Sequence, residues 1–276
     1  MSTATVASAE QLFAANRAEG HVAVEVTADG GRTRRRRVAE QGSLRVRFPG
    51  PAGRPLEAML VNTAGGMAGG DRFAVEIAAG RDADLVVGTA AAEKVYRSTG
   101  PATEVAVTLA LAAGARLTWL PQETILFDGA RLARRIDVAM EEGASLVLAE
   151  ATVLGRSAMG ERVEAGALTD RWRVRVGGRL VFAEALRLEG AIAMSLADAA
   201  VAAGGCALAT MLMVPGGDRE AAAVRARDFS GEVGISAWNG IAVARLCARD
   251  GAVLRRDLSV LLAALDTAPR PKLWLD

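Results

Sequence analysis

Apolar residues recur at every second position through much of the chain, the period of a strand with one buried face. Val22, Val24 and Val26 alternate with smaller or polar residues, and Asp29-Gly30-Gly31 then turns the chain. Leu44, Val46 and Phe48 alternate with Arg45 and Arg47. The same period runs through Phe73, Val75 and Ile77, and through Val105, Val107, Leu109 and Leu111. Trp172, Val174 and Val176 meet Leu180 and Phe182 across Gly177-Gly178, a hairpin signal. The first three-quarters of the chain therefore reads as mainly antiparallel or stacked sheet.

A weak repeat overlies this alternation, in which an apolar run reaches a glycine, then Ala-x-Leu and a second apolar strand. Its copies are Ile77 to Gly80 with Ala83-Asp84-Leu85, Leu111 to Gly114 with Ala115-Arg116-Leu117, and Val138 to Gly143 with Ala144-Ser145-Leu146. Gly114 and Gly143 lie 29 residues apart. Units of that length suggest stacking, each unit burying its apolar face on the next; an ordinary β-sandwich is the alternative. Helix signals come late, at Ile192 to Val201, Asp218 to Arg227 and Ala252 to Leu265, the last with Leu254, Leu258, Leu261, Leu262 and Leu265 on one face.

The fold class expected is mainly β, with stacked, solenoid-like sheets and a few helices concentrated in the C-terminal third. Residues 1–19 read as a loosely held terminus and 20–276 as one β-rich domain. A change from strands to mixed elements near Glu189 marks a candidate subdomain boundary, with no Pro- or Ser-rich linker there.

Charge and composition narrow the function. Lys plus Arg total 33 against 32 Asp plus Glu, so no global field draws this chain to nucleic acid or an acidic membrane. A single histidine, His21, and two cysteines, Cys206 and Cys247, remove many acid–base enzymes and the usual tight transition-metal sites. With no secretion signal and no apolar run long enough to span a bilayer, the expected compartment is the cytosol, with both thiols reduced.

Local motifs give little support to catalysis. Gly65-Gly66-Met67-Ala68-Gly69-Gly70-Asp71 lacks the Gly-Lys-Ser/Thr of a phosphate loop and leads into a strand, so it reads as a tight turn or bulge, with Asp71 either capping it or serving as an exposed acceptor. Gly155-Arg156-Ser157-Ala158-Met159 has methionine where a hydrolase elbow needs glycine. Pro121 marks an edge or bulge that would hold Glu123 at a surface or in a channel. Arg34 to Arg37 follow a turn and decorate an exposed hairpin strand. Trp172, Trp238 and Trp274 are candidates for partner contact, with core burial the commoner fate.

Four segments, in order, carry a resemblance: Leu60 to Asp71 (LVNTAGGMAGGD), Ala92 to Ser98 (AEKVYRS), Trp119 to Asp128 (WLPQETILFD) and Leu154 to Glu161 (LGRSAMGE). With them the sequence resembles the urease accessory family called UreD, or UreH in some organisms, most strongly over residues 20 to 190. The resemblance implies a nickel-insertion chaperone and no enzyme. Its members bind apo-urease and assemble with UreF and the GTPase UreG, which brings the nickel. It implies no tightly bound cofactor, only Ni²⁺ in transit, and a helical stack of strands. A metal in transit is best held weakly by carboxylates and water, because an imidazole or thiolate cage would trap it. The candidate ligands within the motifs are Asp71, Glu93, Glu123, Asp128 and Glu161. Two rival readings are a carboxylate-based enzyme on a small polar substrate and a scaffold for another metal centre.

Overall fold

The computed structural model describes residues 17–50, 55–156 and 159–265. In chain order the strands are β1 (Glu19–Asp29), β2 (Arg32–Gly42), β3 (Leu44–Arg47), β4 (Leu56–Asn62), β5 (Arg72–Ala79), β6 (Asp84–Thr89), β7 (Glu93–Val95), β8 (Thr103–Leu111), β9 (Arg116–Trp119), β10 (Thr124–Leu126), β11 (Arg131–Met140), β12 (Ser145–Leu154), β13 (Gly166–Val176) and β14 (Arg179–Gly190). Helix α1 (Ile192–Ala197), β15 (Ala207–Val214), α2 (Asp218–Arg225), β16 (Glu232–Trp238), β17 (Ile241–Ala248) and α3 (Gly251–Ala264) follow. The chain is mainly β, and its helices come after residue 189, as expected.

Two sheets face each other. An open sheet of seven strands runs β14-β13-β11-β8-β5-β1-β2, and a covered sheet runs β16-β17-β15-β12-β9-β6-β4-β3, with β10 and β7 attached beside β12. From β4 to β13 the chain passes back and forth between the sheets, the steps β6 to β7 and β9 to β10 alone staying within the covered one, which builds solenoid-like coils. Consequently β1, β5, β8, β11 and β13 pair in parallel, as do β4, β6, β9 and β12. The antiparallel pairing expected from alternation is confined to the flanks, at β1–β2, β13–β14, β3–β4 and β12–β15–β17–β16. Alternation reports a half-buried strand without fixing its direction. Parallel neighbours need a long crossover, here supplied by a strand of the opposite sheet where most folds use a helix.

The repeat is real and in register. Leu85 pairs with Leu117, and Leu117 with Leu146. Ala83, Ala115 and Ala144 are all buried at the corners before them. The residue preceding each alanine has positive φ: Asp82 at 58°, Gly114 at 72° and Gly143 at 80°. The true counterpart of Gly114 and Gly143 is thus Asp82, two residues beyond the Gly80 that the sequence suggested. Aspartate tolerates the left-handed conformation. Gly114 is required twice over, since a Cβ there would also lie 2.0 Å from Asp82 Oδ1.

Inward positions of both sheets form one core, including Ile77, Leu109, Ile136, Leu85, Leu117 and Leu148. The other face of the covered sheet, including Ala149, Ala151, Met211 and Ala244, packs under α2 and α3 through Val224, Leu254, Leu258 and Leu261. Small residues on those strands let the helices approach. Helix α3 starts where Asp250 accepts a hydrogen bond from Val253 N at 2.8 Å. The outward face of the open sheet carries exposed charge such as Arg72, Glu76, Arg135 and Asp137. Trp172 is a core residue, Trp238 is 41% exposed, and Trp274 lies outside the described residues. The expectation of a loosely held terminus falls mostly outside them as well.

Because each corner leucine is an in-register layer of the stack, Leu117→Ala is expected to cost about 2–5 kcal/mol. Thr108→Ala, on the outward face of β8, should cost less than about 1 kcal/mol. Urea unfolding midpoints of the two variants check the contrast.

Candidate functional site: the motif corner and the charged interior

The four motifs meet at one corner of the coils. Short strand β10 pairs in parallel with β7 on one side and the end of β12 on the other, Thr124 matching Glu93 and Thr152. The glycine loop joins them: Met67 N donates to Lys94 O at 2.7 Å, and Tyr96 N to Met67 O at 2.8 Å. Gly66 is pressed against the Tyr96 ring, where a Cβ would lie 2.5 Å from Cε2. The Tyr96 hydroxyl donates to Gly65 O at 2.9 Å. Its ring meets Phe127 edge-on at 5.2 Å, and the Arg156 guanidinium sits 4.1 Å over Phe127. Gly66 thus serves a close approach of backbone to the Tyr96 ring.

The five motif carboxylates do not converge on one point. Asp71 is buried and accepts from Ala18 N at 2.9 Å and Ala68 N at 2.7 Å, capping the glycine loop. Glu123 is also buried and holds Arg255 of α3 through Nε at 2.9 Å and Nη2 at 2.8 Å, so it ties the corner to the helix layer. Asp128 accepts from Glu164 N, Ala165 N and the Arg97 guanidinium at 2.9, 3.1 and 3.2 Å. Glu161 is clasped by Arg156, whose Nε and Nη2 donate at 2.7 and 3.0 Å. That pairing holds the Glu161 carboxyl below the usual range. It also receives Asp128 N at 3.4 Å, so Asp128 and Glu161 are neighbours. Glu93 differs from the other four. It is half-buried, Asn62 Nδ2 at 3.1 Å is the one donor to its side chain among the described residues, and burial pushes its pKa up.

Behind Glu93 the space between the sheets is mainly apolar, with a few polar groups in its lining. A cavity of about 70 Å³ is lined by Asn62, Thr89, Glu93, Thr124, Arg134 and Glu150 among apolar residues. Arg134 of β11 lies beside Asp170 of β13 by strand register, and its guanidinium binds both Asp170 and, across the interior, Glu150 of β12. Indole N–H groups complete the carboxylates: Trp119 donates to Glu150 at 2.8 Å and Trp172 to Asp170 at 3.0 Å. Burial opposes the charge on Arg134, but Asp170 and Glu150 outweigh it and keep the guanidinium protonated. Burial raises the Glu150 pKa despite Arg134. Arg134 Nε is buried with no hydrogen-bond partner, which costs about 1–3 kcal/mol.

These interior charges escaped the motif reading, yet a signal existed. Arg134 stands in the inward series Leu132, Ile136, Val138, and Asp170 in the series Leu168, Trp172, Val174. Glu150 interrupts the apolar run of β12. A charge at the inward parity of an alternating strand has to be paired or functional. Among the described residues no group of three or more His, Cys, Asp or Glu forms a metal site. His21 lies on the outward face, 3.2 Å from Glu76, and Cys206 and Cys247 form no disulfide among the described residues.

A family model described as UreD urease accessory protein matches residues 18–275. The chain belongs to the UreD urease accessory protein family. Two similar proteins from Rhodopseudomonas palustris, strains BisA53 and BisB18, are both named urease accessory protein UreD. They are 56% identical over 274 and 272 residues, covering 99% and 97% of this chain and 96% and 98% of their own. Another of that name, from Bradyrhizobium diazoefficiens, is 56% identical over 267 residues and 96% of each chain. No helix among the described residues is long and apolar enough to cross a membrane.

In this UreD-family chain the raised pKa of Glu93 sets a pH signature. Ionising it in the folded state is disfavoured, so it contributes no penalty below the ordinary glutamate value of about 4.3. As pH climbs through the raised value, the folded state loses stability relative to a neutral side chain. Glu93→Gln is therefore expected to match the wild type near pH 4 and to gain in melting temperature toward pH 7.5. A thermal unfolding series across that range measures it.

Proposed function

We propose that this chain is a non-catalytic, cytoplasmic scaffold for urease maturation that bridges apo-urease to UreF and UreG and offers nickel a transient, oxygen-lined route. Kinship along the whole chain supports the maturation role. The observation that carries the route is the cavity between the sheets, whose mainly apolar lining includes the oxygen-bearing residues Asn62, Thr89, Glu93, Thr124 and Glu150. Oxygen donors suit a metal that must leave again, and the cavity offers neither imidazole nor thiolate.

Of the five motif carboxylates we assign Glu93 to the route. Asp71, Glu123, Asp128 and Glu161 are engaged by backbone N–H groups or arginines and give the motif corner its shape. The nickel here is cargo, and it needs a lining that never assembles a complete coordination shell.

Apo-urease, nickel, GTP and the other accessory proteins, combined with and without this chain, provide the test. Nickel incorporation is expected only when the chain is present, and it should fall several-fold with Glu93→Gln while the assembly still co-purifies. Full activation without the chain excludes the urease assignment.

A further inference from the structure

We infer that Arg134 is a resident counter-ion whose guanidinium occupies the place between Glu150 and Asp170 that a divalent cation would otherwise fill. This rests on the proposed nickel route and names what keeps that route from becoming a trap. Glu150 and Asp170 come from opposite sheets, on β12 and β13, and both are buried. One guanidinium joins them, Nη1 to Glu150 and Nη2 to Asp170. Two buried acidic side chains thus share one fixed cation.

The cluster is unlike an ordinary structural ion pair in two respects. Its arginine retains a buried Nε with no partner, in a core whose other buried polar side-chain atoms are satisfied among the described residues. It also borders a cavity that already holds Glu93 and several neutral oxygens. A hydrated divalent cation beside Glu150 finds oxygens for part of its shell, while the guanidinium holds the remaining carboxylate oxygens and repels it. The ion finds oxygen donors there and is denied a closed site. Without Arg134, two carboxylates stabilised by indole N–H groups would face each other with room for a metal and its waters. Such oxygen ligands bind nickel well enough to stop it.

The test uses the purified chain and NiCl₂, with nickel uptake measured by equilibrium dialysis and thermal unfolding recorded with and without metal. Arg134→Met is expected to take up about one nickel per chain and to melt higher with nickel present, since a ligand bound only by the folded state stabilises it. Wild type and the triple variant Arg134→Met/Glu150→Gln/Asp170→Asn should show neither effect. Arg134→Gln, which keeps a polar group between the carboxylates, should also acquire nickel uptake and guards against a folding failure of the methionine variant. If both single variants fold and bind no more nickel than wild type, the inference is wrong. It is equally wrong if neither folds even with nickel supplied, because nickel should replace the guanidinium. Uptake involves no urease, so this result and the activation assay can fail independently.

Discussion

Parallel strands cannot be joined by tight hairpins, and in this molecule each crossover between neighbours in one sheet is a strand of the other. Everything else depends on that exchange. It forces every coil to present an inward side chain at every second residue, and it stacks corner residues such as Leu85, Leu117 and Leu146 into continuous layers. It also joins strands far apart in sequence around a common interior, where a polar side chain has to find its partner within the stack. Arg134, Glu150 and Asp170 meet this requirement together, each from a different strand.

The same exchange explains the motif corner. Where the coils turn from the covered sheet back toward the open one, two short strands, β7 and β10, and the glycine loop make a narrow third wall beside the end of β12. Close packing there demands a backbone without a side chain at Gly66, because Tyr96 occupies the space. Charged residues in that wall mostly brace it: Glu123 to Arg255, Glu161 to Arg156, Asp128 to two backbone amides. Glu93 lines the interior cavity with one amide donor among the described residues, which separates it electrostatically from its neighbours.

Much of the architecture was legible in the sequence. Alternation located the strands, Asp29-Gly30-Gly31 and Gly177-Gly178 marked real hairpins, and the repeat of Ala-x-Leu marked the corners. Strand direction was hidden, because alternation looks alike in parallel and antiparallel neighbours. The first copy of the repeat was misaligned by two residues because Asp82, a residue other than glycine, takes the positive φ. The motifs drew attention to this corner through residue types whose structural places sequence could not apportion: an acidic side chain reads the same whether it caps a loop, as Asp71 does, or lines a cavity, as Glu93 does. The interior cluster was overlooked although its inward parity was visible, since a charge within an apolar strand gains meaning only when its partner on a distant strand is known.

The central claim is that nickel moves through the space between the sheets, and filling that space tests it most directly. Val107→Phe adds bulk at the cavity wall without removing a polar group, at a stability cost of about 1–3 kcal/mol. Radioactive nickel transferred to apo-urease by an assembly containing this variant should fall well below the wild-type level while the assembly itself stays intact. Undiminished transfer with the cavity filled would contradict the account and move the route to the protein surface.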